Sequence, residues 1–221
     1  VTARATAMIF FIVLGAAFYN GFLALTQLPK EGAAWVAASG LSPWLILIVI
    51  LVFYLLLGCL MDSLSMILLT IPIFWPIMQE LDFGLVSMVE LQSAKLEAFV
   101  TSGAEVSAAL VEEARSILAS GQELTREMTR ELGLRGVNQG ALGRVNIEYT
   151  AIWFVILVLI VVEVGLITPP VAMNLFVINA MDRRTPMVET HKAVLYFVGS
   201  DLIRVVILVA FPFITLALLP L

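Results

Sequence analysis

Apolar residues fall along this chain in long blocks separated by short polar breaks. The first block runs from Ala5 to Leu25, follows Arg4, and is long enough to cross a bilayer as a helix. Asn20 and Gly21 near its end read as packing positions in preference to a polar contact. Gln27 to Ser42 is mildly polar and carries Pro29, Gly32 and Gly40, with Trp35 suited to a membrane interface. It predicts an interfacial helix followed by a turn. Ser42-Pro43-Trp44 is a helix start, with serine at the N-cap and proline in the first helical position. The next block has an apolar arm, Trp44–Met61, a polar centre, Asp62-Ser63-Leu64-Ser65, and a second arm, Met66–Leu81, containing Thr70, Pro72 and Pro76. About sixteen helical residues reach only about 24 Å, short of a roughly 30 Å hydrocarbon core. The centre also lacks the Lys or Arg usual in a cytoplasmic loop. The pattern favours a re-entrant helical hairpin over two ordinary spans joined by a tight turn.

From Asp82 to Glu148 the pattern changes. Apolar residues recur at helical spacing: Leu91, Leu96, Phe99, Val100, then Val106, Leu110, Ile117, Leu118, then Leu124, Met128, Leu132. Ser102-Gly103 and Ser120-Gly121 divide the segment into three amphipathic helices, and Gly133 to Gly143 reads as a loop. Glu123, Arg126, Glu127, Arg130 and Glu131 are spaced for ion pairs on a solvated face. The segment reads as an extramembrane insertion without chemistry of its own, in preference to a partner-binding surface.

The run from Ala151 to Ala180 is again apolar, but its centre reads Glu163-Val164-Gly165-Leu166-Ile167-Thr168-Pro169-Pro170-Val171-Ala172-Met173-Asn174. Each proline lacks an N–H, and a residue before proline avoids the α region, so the helix is expected to break near Thr168. Asp182, Arg183, Arg184, Glu189, His191 and Lys192 then form a charged loop whose basic residues mark the cytoplasmic side. The last span is expected over Ala193–Leu219, with Asp201 and Arg204 on one face as a mutually neutralising pair. Three segments result: 1–83, 84–148 and 149–221. The expected class is an all-α membrane protein with a hairpin, a broken helix and an extramembrane insertion.

Composition agrees. Of 221 residues, 61% are hydrophobic, and the mean hydropathy of +1.04 is that of an integral membrane protein. The net charge of −5 is mostly that of the insertion, whose ten acidic and six basic residues leave −4. No basic patch points to nucleic acid. Cys59 is the only cysteine, which excludes an internal disulfide, and His191 is the only histidine. A zinc site or a histidine-based triad has too little material. The first residue is Val1, and the chain reads as the C-terminal piece of a longer polypeptide. With Arg4 inside, successive spans put the insertion outside and the Arg183-Arg184 loop inside.

Two polar, non-helical elements thus fall at membrane depth, the Asp62–Ser65 tip and the Gly165–Pro170 break. Irregular backbone is tolerated there only when buried in protein or lining a cavity. Freed carbonyls, the hydroxyls of Ser63, Ser65 and Thr168, and the Asn174 amide are candidate oxygen ligands. Helix C-termini and carbonyls suit a hard monovalent cation such as Na⁺, and helix N-termini suit a carboxylate. The candidate ion ligands are Asp62, Ser63, Ser65, Gly165 and Thr168. The candidate substrate contacts are Ser65, Thr168, Pro169 and Asn174. Asp62 either joins this site or only caps the second arm, and Glu163 either joins it or only satisfies a neighbouring helix.

These residues also carry a resemblance. Leu57-Gly58-Cys59-Leu60-Met61-Asp62-Ser63-Leu64-Ser65-Met66, continuing to Phe74, resembles the hairpin motif in the large membrane subunit of tripartite ATP-independent periplasmic (TRAP) transporters. The Glu163–Asn174 stretch, continuing to Ile178, resembles that family's broken-helix motif, and Asp201-Leu202-Ile203-Arg204 fits as well. The similarity covers about 1–83 and 149–221. It implies a sodium-coupled importer of carboxylates or other organic acids in the bacterial inner membrane, with Na⁺ as coupling ion and no other cofactor. It also implies a periplasmic substrate-binding protein and a small membrane subunit as partners, and elevator-like movement of the hairpin-bearing domain. The family's large subunit has two inverted repeats, and this chain resembles the second. Its departure is the insertion of some sixty residues between hairpin and broken helix, where the family has a short link.

Two other classes compete. An intramembrane hydrolase of the aspartyl type would need paired carboxylates, for which Asp62 and Asp201 stand without the flanking glycine motif; the Ser–His type would need a histidine at membrane depth. A structural membrane piece without its own site is the third reading. The transporter reading, not an enzyme, is the one the residues favour.

Overall fold

The computed structural model describes residues 2–102, 107–134, 136–168, 173–181 and 186–219, leaving the side chains of Ala5, Met173, Asn174, Phe176 and Ile178 outside the description. Among the described residues all regular structure is helical, as the block pattern demands. The helices are α1 (Thr2–Thr26), α2 (Leu28–Ala38), α3 (Pro43–Gly58), α4 (Ser63–Gln79), α5 (Met88–Thr101), α6 (Ala108–Ala119), α7 (Arg126–Glu131), α8 (Gln139–Ile167), α9 (Met173–Met181), α10 (Met187–Ala210) and α11 (Phe213–Leu216). Three of them, α1, α8 and α10, are long and apolar enough to cross a membrane. With α3 and α4 also apolar, this is a multi-pass membrane protein. The chain divides into two compact units, one of residues 1–82 and 151–215, the other of residues 83–150 and 216–221.

In the first unit, α1 ends where Gln27 takes a left-handed conformation (φ 56°), and α2 starts at once with proline in its first turn. Trp35 on α2 is exposed, as an interfacial ring should be. Ser42 caps α3 as expected: its extended backbone precedes Pro43, and its hydroxyl accepts from the Leu45 N–H at 3.3 Å. α3 and α4 fold back on each other, with the Tyr54 and Phe74 rings 5.4 Å apart and Thr70 Oγ1 bonded to Tyr54 Oη at 2.8 Å. α4 also packs against α1 and α2.

α8 is the central helix. Its apolar window is 56% buried, against 11% for α1 and 17% for α10. Trp153, Phe154, Leu157, Val158 and Val162 are fully enclosed. Lipid tails are as apolar as these side chains, so close packing and hydrogen bonds, not water exclusion, hold such a bundle. Trp153 provides both: its ring meets Trp44 of α3 edge-on at 5.7 Å, and its indole N–H donates to the Leu208 carbonyl of α10 at 2.9 Å. That carbonyl is available because Pro212, four residues on, has no N–H to give it. The same device recurs inside α4. Pro72 frees the Leu68 carbonyl, and Asn20 Nδ2 of α1 donates to it at 3.4 Å. Asn20 thus makes a polar contact where packing was expected, because the proline creates an acceptor.

The second unit is a small helical domain. Ser87 and Glu90 form a reciprocal capping box at the start of α5. α6 closes with Gly121 at φ 78°, from which N–H groups return to Leu118 and, from Gln122, to Ile117. Leu96, Val111, Ala114, Leu118, Leu124 and Leu132 form its core, with Phe99, Leu110, Ile117 and Met128 against them. The helical spacing had marked most of these; Val100 is exposed, and Val106 lies outside the described residues. Buried Gln92 imitates a strand partner: its Oε1 accepts from the Leu124 N–H at 2.7 Å and its Nε2 donates to the Leu124 carbonyl at 3.4 Å. Asn146 does the same for Val86, at 2.9 and 3.1 Å, across sixty residues of sequence.

Four expectations need correction. The loop over Gly133–Gly143 is shorter, because the Asn138 side chain accepts from the Ala141 N–H at 2.9 Å and starts α8 at Gln139. Among the described residues, the ion pairs foreseen over Glu123–Glu131 do not form. Instead Arg115 pairs with Glu97 at 2.9 Å and Glu112 at 3.0 Å. Hydrogen bonds to those two carboxylates push its guanidinium pKa up further. His191 lies in the first turns of α10, not in a loop, with Nδ1 2.9 Å from the Met187 carbonyl. Asp182, Arg183 and Arg184 lie outside the described residues. The last span, α10, begins at Met187 and ends at Ala210, where Pro212 forbids continuation, rather than reaching Leu219.

Candidate functional site

The site is built from the ends of α3 and α8. α3 stops at Gly58, and Cys59, buried and capping it, donates its thiol to the Leu55 carbonyl at 3.3 Å. Leu60 and Met61 return their N–H groups to Leu57. Asp62 then starts α4: its backbone is extended, and its Oδ2 accepts from the Ser65 N–H at 2.9 Å. The capping role is therefore occupied by one carboxylate oxygen of an exposed residue, and Ser63 and Ser65 beside it are half-buried.

α8 ends at Ile167, one residue before the expected break. Thr168 folds back on the helix, its hydroxyl donating to Val164 at 2.6 Å and its N–H to Gly165 at 3.1 Å. Those bonds serve carbonyls near the terminus. The Leu166 carbonyl has no N–H to receive from Pro170, four residues on. Pro169 lies outside the described residues. Asn174 falls in the first turn of α9, with its side chain outside the description.

The two ends meet at a pair of glycines. A Cβ placed on Gly58 would sit 2.9 Å from the Gly165 Cα and 3.2 Å from the Val162 carbonyl oxygen. One placed on Gly165 would sit 2.7 Å from the Gly58 Cα and 3.1 Å from the Leu55 carbonyl oxygen. No side chain fits between these backbones. The polar tip begins four residues after Gly58, and Thr168 stands three residues after Gly165. The structure therefore places the last turns of α3 and α8 against each other within the first unit.

Electrostatically, two helix C-termini converge there. Each carries about half a negative charge on its last carbonyls. The two stretches that follow these ends carry hydroxyl and carbonyl oxygens, a hard set of the kind that suits a small cation. Glu163 lies on an exposed face of α8 and makes no hydrogen bond or ion pair among the described residues. Asp201 and Arg204 satisfy each other at 2.6 Å on α10. Sequence reasoning did not single out Gly58, although it repeats the Gly165 signal: a glycine in an apolar run, one turn before a break. It also passed over Asn179 of α9, whose Oδ1 is enclosed and unpaired among the described residues. A cleft of about 640 Å³ lies in the second unit, lined by Gln92, Arg126, Thr129 and Arg130 among others, and no residue of either motif lines it.

Comparison with known proteins bears on the same residues. The family model described as tripartite ATP-independent periplasmic transporter, DctM component, matches residues 1–214. The C4-dicarboxylate TRAP transporter large permease protein of Pseudomonas aeruginosa is 26% identical over 217 residues, covering 98% of this chain and 35% of that protein. The similarly named protein of Rhodobacter capsulatus is 27% identical over 96 residues, covering 41% of this chain and 22% of its own length. A putative TRAP transporter large permease protein of Haemophilus influenzae is 25% identical over 95 residues, 41% of this chain and 24% of that protein. The chain spans about a third or less of each relative's length. No solved structure matches it.

Proposed function

The chain belongs to the DctM component family of tripartite ATP-independent periplasmic transporters, and from that premise we propose that it forms one ion- and substrate-binding repeat of a sodium-coupled importer of organic acids in the bacterial inner membrane. The carried molecule is a carboxylate, in keeping with the C4-dicarboxylate named for two of the relatives. Its partners are a periplasmic substrate-binding protein and a small membrane subunit. The α3–α4 hairpin is read as re-entrant, since helices of sixteen and seventeen residues are short for a full crossing. Na⁺ is held by Ser63, Ser65 and Thr168 with nearby carbonyls, and the acid meets Ser65, Thr168, Pro169 and Asn174. Asp62 serves as the cap of α4.

The observation that carries this reading is the backbone contact between Gly58 and Gly165. It sets two negative helix ends side by side, next to hydroxyls, in a chain otherwise suited to lipid. Such ends add their partial negative charge to the oxygens that hold a lone cation. The test is uptake of labelled succinate into proteoliposomes holding the complete permease with both partners. Ser65→Ala and Thr168→Ala are expected to raise the half-saturating Na⁺ concentration about tenfold, the loss of about 1.4 kcal/mol of binding each. Wild-type sodium dependence in both variants would remove the site assignment.

A further inference from the structure

We propose that Gly58 and Gly165 are a positioning pair: they touch neither ion nor substrate, and their missing side chains set the separation of the two helix ends that bind the cation. This rests on the reading above and changes the part the sequence suggested for one residue, moving Gly165 from candidate ion ligand to spacer. Three observations support the change. The Gly165 carbonyl already accepts from the Thr168 N–H at 3.1 Å. Its Cα hydrogens, not its carbonyl, face Gly58, because a Cβ there would stand 2.7 Å from the Gly58 Cα and 3.0 Å from the Gly58 carbonyl carbon. The contact is also reciprocal, with each glycine blocked by the other's backbone and by a carbonyl oxygen of the other helix, Leu55 or Val162. Other helical glycines differ: Gly15, Gly21 and Gly199 have nothing within 4 Å of the same position.

The consequence follows from distance. Ordinary contact at a Cβ begins near 3.4 Å, so an alanine falls short of it by roughly 0.5 Å at position 58 and roughly 0.7 Å at position 165, and the backbones must part to accommodate it. The obstacle is main chain and cannot rotate away. Oxygen ligands on opposite helices must sit within about 0.5 Å of their places to act on one ion. A spacer residue therefore controls ion affinity without a bond to the ion.

The experiment uses the complete permease with its partners in proteoliposomes, reading both the half-saturating Na⁺ concentration and the maximal rate of succinate uptake. Gly58→Ala and Gly165→Ala are expected to raise half-saturation about tenfold, while Gly15→Ala and Gly199→Ala leave it at the wild-type value. A second measurement needs no variant. In wild-type permease, Na⁺ should slow amide exchange at 58–62 and 165–168 together, with one midpoint equal to that of uptake. Unchanged half-saturation in both glycine variants, or protection of the two stretches at different midpoints, overturns the pairing. If Ser65→Ala and Thr168→Ala shift sodium dependence while the glycine variants do not, the spacer role alone fails. If wild-type uptake ignores Na⁺, the transport reading fails and the spacer role with it.

Discussion

At the scale of the residue, several side chains act by answering a carbonyl that a proline has left without its partner. Trp153 answers Leu208, and Asn20 answers Leu68. A Trp153→Phe change keeps an aromatic ring but leaves the Leu208 oxygen unpaired, and is expected to cost about 1–3 kcal/mol, read as a lower midpoint of thermal unfolding in detergent. Asp62 is a separable case. Asp62→Ala should destabilise α4 by about 1 kcal/mol, whereas Asp62→Asn keeps a capping oxygen and should cost little. Amide exchange at Ser65 distinguishes the two. If Asp62→Asn also abolishes sodium dependence of uptake, the residue's charge, and not its cap, is what matters. The Asp62 cap was one of two roles the chain left open, because an aspartate before a serine-rich helix start can cap it or join an ion site. The partner of Trp153 was not legible, because nothing in the order of residues says which carbonyl will face an indole 55 positions earlier.

At the scale of the element, helix boundaries were legible at two proline steps. Pro43 and the Thr168-Pro169 step marked α3 and the end of α8 to within a residue. The starts of α8 and α10 were misplaced for one reason: glycines and charges suggested loop, while Asn138 and Pro186 supplied starts. Local caps outweigh average propensity there. Pairing between elements follows the freed carbonyls. Asn20→Leu should destabilise the α1–α4 contact, and Pro72→Ala, which restores an N–H to Leu68, should lessen that cost. A double-mutant cycle on unfolding free energy is expected to show coupling of about 0.5 kcal/mol or more. Strict additivity would mean that the 3.4 Å contact contributes nothing.

At the scale of the whole molecule, the chain contains two units with different physics. The first is held in lipid by packing and by exchanged hydrogen bonds. The second has an ordinary apolar core, capped helices and buried Gln92 holding Leu124 at both backbone atoms. Gln92→Leu strands both atoms and should cost the second unit about 1–3 kcal/mol. Hydrogen exchange is the measurement: faster exchange is expected across 88–134, with 43–79 unchanged. Charge and spacing alone mark 84–148 as a stretch of different character. The meeting of Gly58 with Gly165 was not legible, because each helix looks equally apolar on every face and only coordinates say which faces touch.

The clasp of Val86 by Asn146 has a practical consequence. The excursion leaves and rejoins the polypeptide through a single doorway, its jambs one hydrogen bond apart. Closing so short a gap takes little chain, so whatever hangs beyond the threshold is exchangeable cargo as far as the frame is concerned. A fluorescent protein or an affinity module with neighbouring termini, spliced in place of residues 88–144, should be carried by a permease that still inserts. The natural guest is then one tenant among many that the doorway would admit.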